Sequence, residues 1–148
     1  FATTYGNSGG NAYANPPYSS GGSDNSGGGG GGAGQAGGNG SPPSTYGAGG
    51  NGQPFPTFAY PLVGLSPLNP HSPSNDHYGG GGAAGNNNTA LGGHGGGGDA
   101  SSNPGTTAAS TPGIDNLGGG AGAPNYPNRP NVAPGGSGIV IVRYAAPS

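Results

Sequence analysis

Cysteine, methionine, tryptophan, lysine and glutamate are all missing from these 148 residues. Without cysteine there is no disulfide to staple the chain and no thiolate for a structural zinc site. Without lysine the glycine runs cannot be phosphate loops, and no following helix offers a dinucleotide site. Charge is almost absent: Arg129 and Arg143 stand against Asp24, Asp76, Asp99 and Asp115, a net charge of -2. Two cations make no phosphate-binding patch, so nucleic acid is not an expected partner. The longest apolar run, 139–142, falls far short of the ~20 residues a membrane helix needs, so membrane insertion is not expected. Glycine and proline interrupt every window that could carry an apolar helical stripe, so essentially no α-helix is expected.

Large apolar side chains are scarce as well. Leu, Ile, Val and Phe together make 15 of 148 residues, about 10%, half the roughly 20% below which chains usually stay disordered. Ordering the backbone costs about 1–2 kcal/mol per residue, and burying a large side chain returns only about 1.5–3 kcal/mol. A conventional core cannot offset that cost. Disorder, however, normally comes with high net charge, which this chain lacks.

What is abundant is glycine, 40 residues, with 17 prolines. A polyproline II chain has three residues per turn and no internal hydrogen bonds, so its N–H and C=O groups point outward. Glycine lets such chains approach until they bond to one another. Irregular glycine spacing excludes a collagen Gly-X-Y period and an exact solenoid repeat. The expected fold is an irregular, glycine-rich bundle or sandwich of polyglycine (polyproline) II rods, with a short C-terminal β-strand. The rods fall at about 27–40, 79–85, 92–98, 118–122 and 135–138, within a single structural module spanning 1–148. A chain that begins at Phe1 without an initiator Met reads as a trimmed product or as part of something longer.

Between the rods lie Pro-, Asn-, Ser- and Tyr-rich stretches. The connector 53–78 holds Phe55, Phe58, Tyr60, Leu62, Val63, Leu65 and Leu68, a concentration that reads as a small satellite core or a contact surface. Residues 139–144, Ile-Val-Ile-Val-Arg-Tyr, read as the one convincing strand, with Ile139 and Ile141 on one face and Val140, Val142 and Tyr144 on the other. It can pair within the chain or with another subunit. Asn39-Gly40 and Asn51-Gly52 read as tight turns. No catalytic, cofactor or metal site is expected. Gly6-Asn-Ser-Gly-Gly10 has the letters of a nucleophile elbow but neither the strand before nor the helix after. His71, Asp76, His77, His94 and Asp99 read as exposed polar residues rather than ligands. Asn87-Asn-Thr89 is a glycosylation sequon, weak in so Asn- and Thr-rich a chain. Tyr and Asn among Gly and Ser is the composition of adaptable binding loops, and the recognition candidates are Phe55, Phe58, Tyr60, His77, Tyr78 and Tyr126.

Thr111-Pro-Gly-Ile-Asp-Asn116 ahead of a glycine run, then Gly135-Gly-Ser-Gly-Ile-Val-Ile-Val-Arg-Tyr144, resembles the C-terminal end of glycine-rich domains in bacteriophage and marine-virus fibre proteins. The block 27–40 resembles their internal glycine blocks, so the likeness runs from about Gly27 onward. Two departures stand out: no apolar strand precedes Gly27, and the 53–78 connector is long and proline-rich. The resemblance implies a polyglycine II sandwich carrying variable loops, as in phage adhesin tips. It implies a non-enzymatic module of a virion fibre or tip, at the virion surface or outside the cell, in contact with other subunits and with a host-surface protein or glycan. A subunit of a cellular extracellular filament is the alternative. An ice-binding protein is a weaker one, because Thr106, Thr107 and Thr111 set no regular period.

Overall fold

The computed structural model describes residues 3–14, 26–42, 45–66, 74–85, 90–101, 109–124 and 132–145. Among them there is no α-helix. Regular structure amounts to two 3₁₀ turns, Pro56–Phe58 and Tyr60–Val63, and a two-stranded antiparallel ladder. In that ladder β1 (Gln53–Pro54) pairs with β2 (His77–Tyr78), in the register Gln53↔Tyr78 and Pro54↔His77. Most of the rest is extended chain, held largely by backbone hydrogen bonds between segments distant in sequence.

Those bonds recur at every third residue. Asn7, Gly10 and Tyr13 donate to Gly32, Gly29 and Ser26; Gly29 and Gly32 donate to Gly38 and Gln35. Gly47 and Gly50 donate to Gly27 and Gly30, while Gly30 and Ala33 donate to Gly82 and Gly79. A strand would return to the same neighbour every second residue; a period of three is that of polyproline II chains packed side by side. Consecutive residues therefore serve different neighbours, and the bundle is bonded through its whole cross-section.

The rods follow the glycine blocks with two differences. The 27–40 block is not one rod: it bends at 33–35 and returns, so 26–32 and 35–41 lie antiparallel. The 92–98 block likewise reverses at 94–96, with Gly97 donating to Gly93 and Ala100 to Ala90. Gly95 and Gly96 make that reversal with φ of 87° and 97°, which a side chain would strain. Segments 7–13, 45–52 and 111–114 are also rods, although glycine does not dominate all of them.

Neither Asn39-Gly40 nor Asn51-Gly52 is a turn. Both lie along rods, and their side chains stitch neighbours together. Asn39 Oδ1 accepts from the Asn11 N–H at 2.7 Å. Asn51 Oδ1 accepts from the His94 N–H at 3.0 Å, while its Nδ2 donates to Gln35 Oε1 at 2.8 Å.

The apolar interior is mostly alanine: Ala83, Ala84, Ala90 and Ala100 are buried, joined by Leu117 and Tyr60. Tyr46 packs over Ala83, Ala90 and Ala100, its ring filling space that larger side chains would otherwise occupy. Such a core works because the rods approach too closely for anything bigger. A Cβ on Gly49 would stand 1.9 Å from the Gly81 carbonyl oxygen.

Residues 139–144 differ from expectation. They join no ladder among the described residues, and none of them has a backbone hydrogen bond to a described residue. The bundle's bonds to this end of the chain stop at Ser137, which accepts from Gly118. Val140, Val142 and Tyr144 are 89%, 76% and 83% exposed.

Candidate functional site

The connector closes one end of the bundle, where rods 26–32, 79–85 and 118–123 start or stop. Its two limbs, 53–66 and 74–78, are tied first by backbone. Phe55 N–H donates to the Asp76 carbonyl at 2.8 Å, and Tyr60 N–H to that of Asn75 at 2.6 Å. Proline at the start of each 3₁₀ turn supplies the required φ at no cost in lost donors. Gly64, with φ of 78°, ends the second turn.

Two phenols then cross-link the limbs. The Tyr60 hydroxyl donates to the His77 carbonyl, and the Tyr78 hydroxyl to the Phe58 carbonyl. The rings meet edge to face: Tyr60 with Tyr78 at 5.3 Å between centroids, and Phe55 with Tyr5 at 5.5 Å. Such pairs add about 0.5–1.5 kcal/mol beyond area burial. Tyr60 is 0% exposed. Burial first, then the neighbouring Tyr78 and Asp76, push its pKa up to about 12. Burial also raises that of Tyr78, with Asp76 adding to it.

This placement separates the recognition candidates. Tyr60 is enclosed by its own chain, so it is an anchor of the connector and cannot face a partner. Phe55, Phe58 and Tyr78 are half-buried and form one wall of an apolar groove of about 400 Å³. Ala33, Gly79 and Leu117 form the floor, and Ile139 and Ile141 the opposite wall. Ile139, itself partly exposed, and Ile141 thus share one face of their segment, while Val140 and Val142 are more fully exposed. His77 stands outside the groove, its ring edge-on to His94 at 5.6 Å. Tyr126 lies outside the described residues, as do His71, Asn87, Thr106 and Thr107.

Leu117 and Ala33 were not legible as groove residues in the sequence: Ala33 is a lone apolar residue between glycines, and Leu117 stands between Asn116 and a glycine run. The alternation at 139–142 was the available signal for the isoleucine wall.

Ser74, Asp76 and His77 form the one polar cluster of catalytic appearance among the described residues. Ser74 Oγ lies 3.2 Å from His77 Nδ1 and Asp76 Oδ1 lies 2.8 Å from the same atom. A nucleophile relay needs the acid and the hydroxyl on opposite ring nitrogens, and here both meet Nδ1. Among the described residues no three His, Asp or Glu side chains gather as metal ligands. What the groove can do is accept an apolar side chain.

A bundle of three-residue-period glycine rods with a small aromatic cap defines a glycine-rich structural domain. The chain belongs to the glycine-rich domain family, which it matches over residues 2–145. No curated protein and no solved structure matches it.

Proposed function

We propose that this domain is a non-enzymatic structural module of a phage virion fibre or tip, lying outside the cell or at the virion surface and presenting loops for host-surface recognition. One observation carries the reading: the rods are nearly free of side-chain chemistry, whereas Phe55, Phe58, Tyr78, Ile139 and Ile141 gather around a groove at one end. A rigid body with an adaptable apolar tip is the division of labour that attachment requires. The resemblance of 111–122 and 135–144 to phage fibre domains supports the same reading. The partners it implies are neighbouring fibre subunits and a host-surface protein or glycan.

The test is adsorption to host cells by the purified domain carrying Phe58→Ser and Ile141→Ser, with folding followed separately by thermal unfolding. A folded double variant should lose most of its adsorption. Undiminished adsorption by that folded variant refutes the groove as the contact. A cellular extracellular filament is the second reading, favoured by the 139–144 segment, which has no backbone bond to a described residue and leaves Val140, Val142 and Tyr144 exposed. Helical assembly of identical chains would support it over the first.

A further inference from the structure

Rod 79–85 lies at the centre of the bundle, and its hydrogen bonds leave one direction open. Three residues per turn, each with one N–H and one C=O, give a rod six directions in which to bond. The N–H groups of Gly80 and Ala83 reach the carbonyls of Gly95 and Gly98; those of Gly81 and Ala84 reach Gly50 and Gly47. The carbonyls of Gly80 and Ala83 receive Gly120 and Ala123, that of Gly81 receives Gly93, and those of Gly79 and Gly82 receive Ala33 and Gly30. The direction left over belongs to the N–H groups of Gly79, Gly82 and Gly85. Gly79, at the rod's end, finds the Leu117 carbonyl, but Gly82 and Gly85 find no partner among the described residues.

The surrounding rods confirm where that direction points. Taken in order round 79–85, rods 26–32, 45–52, 90–94, 96–101 and 118–123 each bond to the next. Among the described residues the ring fails to close between 118–123 and 26–32. There a surface groove of about 600 Å³ runs along the bundle, floored by 79–85 and walled by Gly28 and Gly31 on one side and Gly118 and Ala121 on the other. Gly28 and Gly31 have neither N–H nor C=O bonded to a described residue, and the carbonyls of Gly118 and Ala121 accept nothing from one. Each of these pairs is spaced three residues apart, as are Gly82 and Gly85.

We propose that this groove is a docking site for a glycine rod from a second copy of the chain. The site is a missing position in the lattice that builds the protein itself, so its occupant must have the same three-residue period. It must also lack side chains. Where rods meet inside the bundle, a Cβ on Gly81 would lie 2.1 Å from the Gly30 oxygen. A second copy supplies such rods from its 40 glycines. A net charge of -2 offers little repulsion between copies. The proposal rests on the reading of the domain as an assembling module, and names the surface through which it assembles.

Gly30 provides the means of testing it. Its Cβ position is free of clash, 3.4 Å from Gly82, and it borders the groove. Sedimentation across a concentration series should show wild-type chain associating and Gly30→Gln remaining monomeric, with the melting temperatures of the two equal in dilute solution. Amide exchange on the wild type gives the independent readout. Gly82 N–H should exchange freely in dilute protein and slow at least about tenfold on association, as a buried bonded amide does. Association that survives Gly30→Gln overturns the groove but leaves assembly standing. A wild-type chain monomeric at every concentration overturns both, and Gly82 protected even in dilute monomer means the chain fills its own lattice position and sinks the proposal.

Discussion

Gly29 and Gly30 are neighbours in one rod, and they should respond to alanine in opposite ways. A Cβ on Gly29 would stand 2.0 Å from the Ala48 carbonyl oxygen, whereas on Gly30 it would stand 3.4 Å from Gly82. Contacts below about 3 Å are not tolerated, so Gly29→Ala must drive rod 45–52 away by about 1 Å. That carbonyl accepts from Gly38 at 2.9 Å, and Gly29 itself donates to Gly38 and accepts from Gly10. Losing two such bonds in a buried place costs about 1–3 kcal/mol each, hence about 2–6 kcal/mol in all. A domain of this size has about 5–15 kcal/mol to lose. Gly30→Ala breaks nothing and reduces the freedom of the unfolded chain, which offsets about 0.4–1 kcal/mol. Equilibrium unfolding in urea should show a large fall in midpoint for Gly29→Ala at constant slope, and little change or a gain for Gly30→Ala. Equal effects at the two sites would mean that the glycines are flexible linkers and that the rod lattice is wrong.

Gly96→Ala should also destabilise, but through its backbone: φ is 97° and the Cβ would meet that of Leu117 at 2.8 Å; thermal unfolding measures it. Tyr60→Ala should cost about 3–5 kcal/mol by emptying a fully enclosed site, so a connector tyrosine is no milder a change than a rod glycine; unfolding in urea compares the two. Tyr60 keeps its proton in the folded state to about pH 12, against about 10 unfolded. Its contribution is therefore intact below pH 10 and falls by about 1.4 kcal/mol per unit between 10 and 12. Stability measured over that range should fall less steeply in Tyr60→Phe.

The sequence made the governing principle legible and hid much of the geometry. Too few large side chains for a core, with too little charge for disorder, left backbone pairing as the source of order, and the glycine blocks marked several of the rods. A rod, however, needs glycine only where its neighbours press. In 7–13 that place is Gly10, whose Cβ would lie 1.9 Å from the Gly38 oxygen, while Asn7, Ser8 and Asn11 stand exposed. To the eye that segment reads as loop. The reversals at 33–35 and 94–96 were hidden for the opposite reason: within a glycine-rich stretch every residue can turn, so composition does not say which one does. Asn-Gly pairs misled because asparagine's side chain, expected to shape its own turn, instead reaches the next rod, as Asn39 and Asn51 do. The connector was legible as a concentration of aromatics, but not its inside and outside. Tyr60 and Phe58 share the same proline-punctuated stretch, and only the fold puts Tyr60 against the His77 carbonyl and Phe58 on the groove. The connector divides its aromatics between Tyr60, enclosed by its own chain, and Phe55, Phe58 and Tyr78, which line the groove. That division depends on how the two limbs and the rods meet in space, a long-range property that spacing along the chain does not carry.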